Sequence, residues 1–183
     1  MKKLIIIIAA ILVIAGGLVS SYNGLVSMHE QVNSSWAQVD TQLQRRADLI
    51  PNLVNTVKGY ASHEQEAVKA VADARSKLLN ASTPTDKISA NGELSNALGR
   101  LLIVAENYPD LKASQNFLAL QDELAGTENR ISVARRDYNN QVQKYNAKIH
   151  SFPVSLYAGA FGFTDAPYFK ADEGAKAAPK VQF

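Results

Sequence analysis

The stretch QRRADLIPNLV, residues 44–54, decides the topology of this chain because it places a proline inside a segment with the pattern of a long helix. Ahead of it, apolar residues recur at alternating steps of three and four, which is the spacing of one helix face. Seven residues share this face: Tyr22, Leu25, His29, Val32, Trp36, Val39 and Leu43. A proline suits the first turn of a helix and disrupts a helix interior. With Asp48 as the capping residue and Pro51 in the first turn, the pattern predicts that helix A ends near Ala47 and helix B begins there.

Local signals also mark the later helices. Helix B carries an apolar stripe to about Leu78, and Thr83-Pro84 then supplies a cap followed by a proline at the first helical position, with Asp86 in the first turn. Helix C is expected to stop near residue 107, because the residue before Pro109 is restricted to extended backbone. Helix D follows and is expected to end before Phe152.

These four helices predict an all-α fold. No strand pattern competes with them, and short connections between long helices favour antiparallel neighbours, so we expect an antiparallel up-and-down four-helix bundle that follows a single N-terminal transmembrane helix. The corner between helices A and B and the corner between helices C and D would then lie together at the end distal to the membrane. Six residues form this candidate structural or interaction corner: Arg45, Arg46, Asp48, Pro51, Glu106 and Asp110.

The corner has two interpretations. Arg46 continues the apolar face of helix A, so its side chain should turn inward, where an unpaired charge is costly. We therefore expect at least one contact between an arginine and a carboxylate, from Arg46 to Glu106 or Asp110. The alternative is a site for an anionic partner at the distal tip.

The N-terminus begins with Lys2 and Lys3 and then has no charged residue until Glu30, and residues 4–19 are almost wholly aliphatic. This uncharged run reaches the roughly 20 residues that a spanning helix needs, and LVSS, residues 18–21, is a poor cleavage site. We favour a retained anchor over a cleaved signal peptide. The positive-inside rule then places the N-terminus in the cytoplasm and the domain on the opposite side of the membrane.

Charge and composition argue against several functional classes. Lys2 and Lys3 account for the net charge of +2, so the remainder is neutral and no nucleic-acid partner is expected. The absence of cysteine excludes thiolate catalysis and cysteine zinc sites. HEQEA, residues 63–67, lacks the second histidine of a zincin motif, and no histidine has a glutamate three residues before it. We expect no catalytic residue, no metal and no cofactor.

The C-terminal tail is rich in aromatic residues and has no helical or alternating period. Such a segment cannot build its own core, so it must pack on the bundle, insert at the headgroup level of the bilayer or contact a neighbouring subunit. The last stretch should be mobile unless Val181 and Phe183 dock. The domain division is an anchor at 1–21, a helical domain at 22–152 and a tail at 153–183. The candidate membrane or assembly residues of the tail are Tyr157, Phe161, Phe163, Tyr168 and Phe169.

Three segments resemble the bacterial LemA family: SWAQVDTQLQRRADLIPNLVNTVKGYASHE (35–64), AENYPDLKASQNFLALQDELAGTENRISVARRDYN (105–139) and FGFTDAPYF (161–169). The resemblance implies a bacterial protein with one transmembrane helix and an all-helical domain. Together with the positive-inside rule, it implies a domain on the extracytoplasmic, or periplasmic, side of the bacterial inner membrane. The family brings no catalytic residues with it. Two hypotheses compete. One is a non-enzymatic scaffold that binds the lipid bilayer through its anchor and forms a homo-oligomer or assembles with other membrane proteins. The alternative is a receptor or regulator that binds a ligand or peptide and is coupled to a membrane partner.

Overall fold

A computed structural model describes residues 2–61 and 63–170, and all regular structure in these residues is helical. The all-helical class predicted from the sequence is therefore confirmed. Within the described residues the α-helices are α1 (Lys2–Tyr60), α2 (Gln65–Asn80), α3 (Pro84–Ala105), α4 (Pro109–Lys112) and α5 (Gln115–His150). Two single-turn 3₁₀ helices follow, at Val154–Leu156 and Gly159–Phe161.

The predicted corner at residues 44–54 is wrong, because α1 passes through Pro51 without ending. A proline inside a helix leaves the carbonyl four residues earlier without its usual N–H partner. That carbonyl belongs to Ala47, and Nε of Arg75, from α2, donates a hydrogen bond to it at 2.8 Å. Asp48 does not cap a helix start here, and its carboxylate accepts a hydrogen bond from Gln44 at 2.8 Å. The chain instead leaves α1 after Tyr60 and enters α2 at Gln65.

The other local predictions are confirmed. The Thr83 side chain accepts a hydrogen bond from the backbone N–H of Asp86 at 3.1 Å, and Pro84 is the first residue of α3. Helix α3 ends at Ala105, close to the predicted limit, and Pro109 begins the short α4. Helix α5 ends at His150, two residues before Phe152. In each case the residues that supply the signal lie within a few positions of the helix end that they control.

The chain divides into two compact units, and each is described by itself. The first unit comprises Met1–Trp36 and Asp137–Tyr168, and the second comprises Ala37–Arg136 and Phe169–Phe183. Burial of apolar side chains stabilises both units. Buried residues of the first unit include Leu25, Val32, Tyr138, Val142, Tyr145, Ile149 and Val154. Those of the second unit include Val39, Leu43, Ile50, Leu53, Val71, Leu94, Leu101, Phe117 and Ile131.

The N-terminal part of α1 has the length and composition of a membrane span. Its most apolar 18-residue window has a mean hydropathy of 2.8, and none of that window is buried. A helix of about 20 apolar residues matches the hydrocarbon thickness of a bilayer. The segment therefore fits a single-pass membrane protein, and it continues as the same helix into the buried residues that begin at Leu25.

Candidate functional site

A buried arginine joins three helices of the second unit. The side chain of Arg46, on α1, is 7% exposed. Its Nη1 donates hydrogen bonds to Asn91 Oδ1 at 2.9 Å and to Ser95 Oγ at 3.0 Å, both on α3. The same nitrogen lies 3.0 Å from Oε2 of Glu128, on α5, whose side chain is 47% exposed. A charge removed from water needs such partners, because its lost hydration must be replaced by ion pairs and hydrogen bonds.

The neighbouring Arg45 lies at the surface and forms a different kind of pair. Its guanidinium donates hydrogen bonds to the carboxylate of Glu123, on α5, and Arg130 approaches the same carboxylate at 3.7 Å. The hydrogen bond and the positive charge of Arg45 hold the pKa of Glu123 below its ordinary value. Arg45 and Arg46 therefore differ in burial although they are adjacent in sequence.

The structure relocates the residues of the predicted corner. Arg45, Arg46, Asp48 and Pro51 lie within α1, while the carboxylate of Glu106 pairs with Lys112 and Asp110 lies in the first turn of α4. The expected contact between Arg46 and a carboxylate is present, but its partner is Glu128. Glu128, Asn91 and Ser95 were not among the predicted partners, because the sequence pattern predicts a turn where α1 continues. An interaction role for the six residues stays a prediction.

The first part of the tail contacts α1 within the first unit. The hydroxyl of Tyr157 donates a hydrogen bond to Ser21 Oγ at 2.6 Å. The ring of Tyr22 lies edge-on to Phe161 and Phe163, with centroid separations of 5.3 and 5.7 Å. Phe163 also meets the ring of His29 at 6.4 Å. Edge-to-face contacts of this kind add to the stabilisation gained by apolar burial.

The second part of the tail is hydrogen-bonded to α5. The side-chain amide of Asn146 donates to the carbonyl of Ala166 at 3.0 Å and accepts from its backbone N–H at 2.9 Å. The hydroxyl of Tyr138 donates to the carbonyl of Pro167 at 2.8 Å, and burial raises the pKa of that hydroxyl. His150 Nε2 lies 2.9 Å from Asp165 Oδ1. Side chains of α5 thus satisfy backbone groups of a segment that has no regular structure after Phe161.

The five predicted tail residues have different environments. Tyr157 and Phe163 are half-buried, Phe161 and Tyr168 are exposed, and Phe169 is buried beneath the guanidinium of Arg135, 4.1 Å from its ring centroid. Two more exposed apolar residues of this region, Phe152 and Leu156, were missed because no periodicity separates exposed from buried positions in an irregular segment. The predicted docking of Val181 and Phe183 lies outside the described residues.

A comparison with protein families identifies the chain. The model of the LemA family matches residues 35–183, which is most of its length. The chain belongs to the LemA family. The resemblance found from the sequence is therefore confirmed, and it covers both α1 beyond Ser35 and the tail.

Two relatives of this LemA-family chain illustrate the range of the similarity. Magnetosome protein MamQ 2 of Paramagnetospirillum magneticum is 26% identical over 193 residues, which cover 91% of this chain and 71% of the relative. Protein LemA of Metamycoplasma hominis is 26% identical over 152 residues, which cover 82% of this chain and 69% of the relative. The apolar N-terminal segment of this chain fits a membrane-associated protein.

The second unit also has an open groove where α1 ends and α2 begins. Its volume is about 600 Å³, and its walls combine apolar residues with the charged residues Lys58, Glu64 and Lys69. Glu64 is engaged by the hydroxyl of Tyr108, which donates a hydrogen bond to it at 2.8 Å. Within residues 2–61 and 63–170, no three histidine, aspartate or glutamate side chains are grouped closely enough to hold a metal ion.

Proposed function

We propose that this LemA-family protein is a non-enzymatic, membrane-anchored scaffold of the bacterial envelope that assembles with itself or with other membrane proteins. The observation that carries the proposal is the continuity of α1. An unburied apolar segment long enough to cross a bilayer passes without a linker into a helix with buried residues from Leu25 onward. Such a connection holds the adjoining helices at a fixed place on the membrane, whereas a flexible linker would leave them free to move.

We further propose an antiparallel up-and-down arrangement for the helices. In the first unit, α1 and α5 run in opposite directions, because Trp36 meets Tyr138 while His29 meets Tyr145. In the second unit, Lys77 pairs with Glu93, and Glu64 before α2 meets Tyr108 after α3. The first contact lies near the end of α2, and the second joins the start of α2 to the end of α3. Together they support an antiparallel arrangement of α2 and α3. The predicted four-helix bundle would then comprise α1, α2, α3 and α5, with its first connection between α1 and α2.

We propose that the chain consists of an anchor at 1–21, a helical domain at 22–152 and a tail at 153–183. The helical domain would lie on the extracytoplasmic side of the membrane. Because the chain lacks cysteine, a Ser82→Cys variant has a single reactive thiol in the loop between α2 and α3. An impermeant maleimide should label it in cells with a permeabilised outer membrane and an intact inner membrane. Labelling that requires lysis of the inner membrane would place the domain in the cytoplasm.

Self-assembly is tested by size-exclusion chromatography with light scattering on the detergent-solubilised full chain. We expect a mass above that of one 19.9 kDa chain after the detergent contribution is subtracted. Crosslinking in native membranes would check that detergent has not dissociated or created the assembly. A strict monomer in detergent with no crosslinked product in membranes would overturn the scaffold proposal.

The groove between α1 and α2 favours the alternative of a receptor or regulator. Ligand sites are concave and mostly apolar, with a few polar groups, and the groove has this mixture. An Ala72→Trp variant would occupy part of the groove with a large side chain. A ligand that raises the Tm of the native chain and leaves the Tm of this variant unchanged would favour the receptor over the scaffold.

A further inference from the structure

Three large apolar side chains lie exposed around the 3₁₀ helices of the first unit. Phe152 is 82% exposed, Leu156 is 76% exposed and Phe161 is 60% exposed. Keeping such side chains in water forgoes the stabilisation that burial of their apolar surface would give. Clustered exposed apolar residues of this kind mark surfaces that contact a partner or a membrane. We refer to residues 152–161 as the interfacial segment.

Contacts with α1 fix the level of the interfacial segment along the helix. Tyr157 is hydrogen-bonded to Ser21, and the ring of Phe161 packs against Tyr22. The start of the segment lies near the same level because of the register between α1 and α5. The pair Trp36–Tyr138 and the pair His29–Tyr145 are seven residues apart on both helices, so His150, the last residue of α5, lies near the level of Gly24, and Phe152 follows two residues later.

This level coincides with one end of the apolar span. The uncharged residues that follow Lys3 reach Tyr22 after 19 positions. At 1.5 Å per residue they extend about 28 Å, close to the hydrocarbon thickness of about 30 Å. If Lys2 and Lys3 lie among the headgroups of one leaflet, Ser21 and Tyr22 lie at the boundary of the other, where aromatic side chains are favoured.

We propose that the interfacial segment docks into the lipid bilayer, with Phe152 and Leu156 at the boundary between acyl chains and headgroups of the leaflet next to the helical domain. The inference rests on the anchoring role proposed above and adds a second point of membrane contact. Lipid is the partner of this segment because the segment adjoins the end of the apolar span, which itself requires an apolar surrounding. The polar hydroxyl of Tyr157 is satisfied by Ser21, so it does not oppose burial of its neighbours at this depth.

The geometry also explains how the segment can be held ready for lipid contact. Phe161 is packed edge-on against both Tyr22 and Tyr157, the latter at 6.1 Å, so its orientation is fixed by protein contacts. Gly162 adopts φ of +82°, which glycine accommodates without steric cost, and Phe163 beyond it contacts His29. Phe163 contacts both Tyr22 and His29, and the backbone of Ala166 then bonds to Asn146 and that of Pro167 to Tyr138, so the chain after Gly162 runs away from the level of Tyr22. A surface ordered in advance loses little conformational entropy on binding.

Single spin labels test this proposal in the full chain reconstituted into nanodiscs, because the absence of native cysteine makes each label unique. Reporters are Phe152→Cys and Leu156→Cys, which alter exposed side chains. Val13→Cys reports the apolar span, and Ile103→Cys is the control for an exposed apolar residue of α3. Collision rates with oxygen, which concentrates in lipid, and with a water-soluble nickel chelate give the depth of each label. Circular dichroism melts check that each variant is folded.

We expect both reporters to give an oxygen-to-nickel ratio above that of Ile103→Cys and below that of Val13→Cys. Reporter ratios equal to that of Ile103→Cys, with a high ratio at Val13→Cys, would overturn lipid docking and leave the anchor intact. Low collision rates with both reagents would mean that protein covers the segment, which would also overturn it. A water-like ratio at Val13→Cys would instead overturn the anchor and the proposed function.

Discussion

Helix α1 is joined to distant segments in two chemically different ways. Around Arg46, in the second unit, the contacts are an ion pair and hydrogen bonds from a buried cation to Asn91 and Ser95. Between Ser21 and His29, in the first unit, they are a hydroxyl–hydroxyl hydrogen bond and ring contacts. The same helix therefore uses charge in one unit and neutral aromatic contacts in the other.

The difference follows the distribution of charge along α1. No charged residue occurs between Lys3 and Glu30, so the part of the helix nearest the span has no ionic group to pair. Charges near a bilayer are expensive, whereas aromatic side chains with a polar tip suit the interface between lipid and water. Further along the helix a cation can be buried when other helices supply its partners. Along α1, the neutral contacts therefore belong to the unit that carries the apolar N-terminal segment, and the ionic contacts belong to the other unit.

The largest expected effect tests the charged contacts. Arg46→Ala should lower the free energy of unfolding by about 2–3 kcal/mol. The substitution removes the hydrogen bonds that the charged guanidinium donates, and Asn91 Oδ1 loses Arg46 as its donor. The Glu128 side chain is 47% exposed, but the Oε2 atom that faces Arg46 is buried, so this oxygen also loses its cationic partner. Chemical denaturation of the full chain in detergent measures this change.

Arg45→Ala is the matched control, since its ion pair with Glu123 lies at the surface. Solvent screens exposed pairs, so Arg45→Ala should cost much less stability than Arg46→Ala. If Arg45→Ala and Arg46→Ala lowered the free energy of unfolding equally, burial would not explain the difference between the two ion pairs.

The next largest effect tests the neutral contacts of the tail. Asn146→Ala removes two hydrogen bonds to the backbone of Ala166, and we expect a loss of about 1–2 kcal/mol. Hydrogen exchange at the N–H of Ala166 should accelerate, because that group loses its acceptor. The exposed neighbour Gln143→Ala is the control and should leave this exchange rate unchanged. Unaltered protection in Asn146→Ala would mean that the ring contacts alone hold the tail.

A smaller effect concerns the proline in α1. Arg75→Met should cost about 1 kcal/mol, because Ala47 loses the donor that replaces the N–H missing from Pro51. Pro51→Ala restores a backbone N–H that can bond to Ala47. A double-mutant cycle by denaturation should therefore show that Arg75→Met costs less in the Pro51→Ala background. Independent, additive effects would assign Arg75 a role other than satisfying this carbonyl.

The smallest effect is a pH dependence at the exposed ion pair. The pKa of Glu123 lies below its ordinary value in the folded chain, mainly because of its hydrogen bond with Arg45. A depressed folded-state pKa gives stabilisation that is present above the unfolded-state pKa and is lost as pH falls through the folded-state pKa. Carbon-detected NMR titration of Glu123 should show its pKa rising toward the ordinary value in Arg45→Ala. An unchanged titration midpoint of Glu123 in Arg45→Ala would mean that Arg130, rather than Arg45, lowers this pKa.

Local chemistry in the sequence was enough to predict much of the fold. The apolar span, the cap at Thr83, the end of α3 before Pro109 and the end of α5 before Phe152 were all predicted correctly. The inward position of Arg46 also followed from the spacing of apolar residues. The helix ends depend on residues within a few positions, and the span and the position of Arg46 depend on the pattern along one helix, so none of these features required tertiary contacts to predict.

Contacts between residues far apart in the sequence determine the continuation of α1, the partner of Arg46 and the position of the tail. Asp48 and Pro51 form a valid helix-start signal, yet α1 continues because Arg75, 28 residues from Ala47, satisfies the carbonyl that the proline leaves open. The partner of Arg46 is Glu128 for a similar reason, since α5 brings that carboxylate to α1. The tail's level is set by the contact of Tyr157 with Ser21, 136 positions away. A hydrogen-bonding group must be satisfied somewhere, but its own sequence neighbourhood does not specify which distant side chain reaches it.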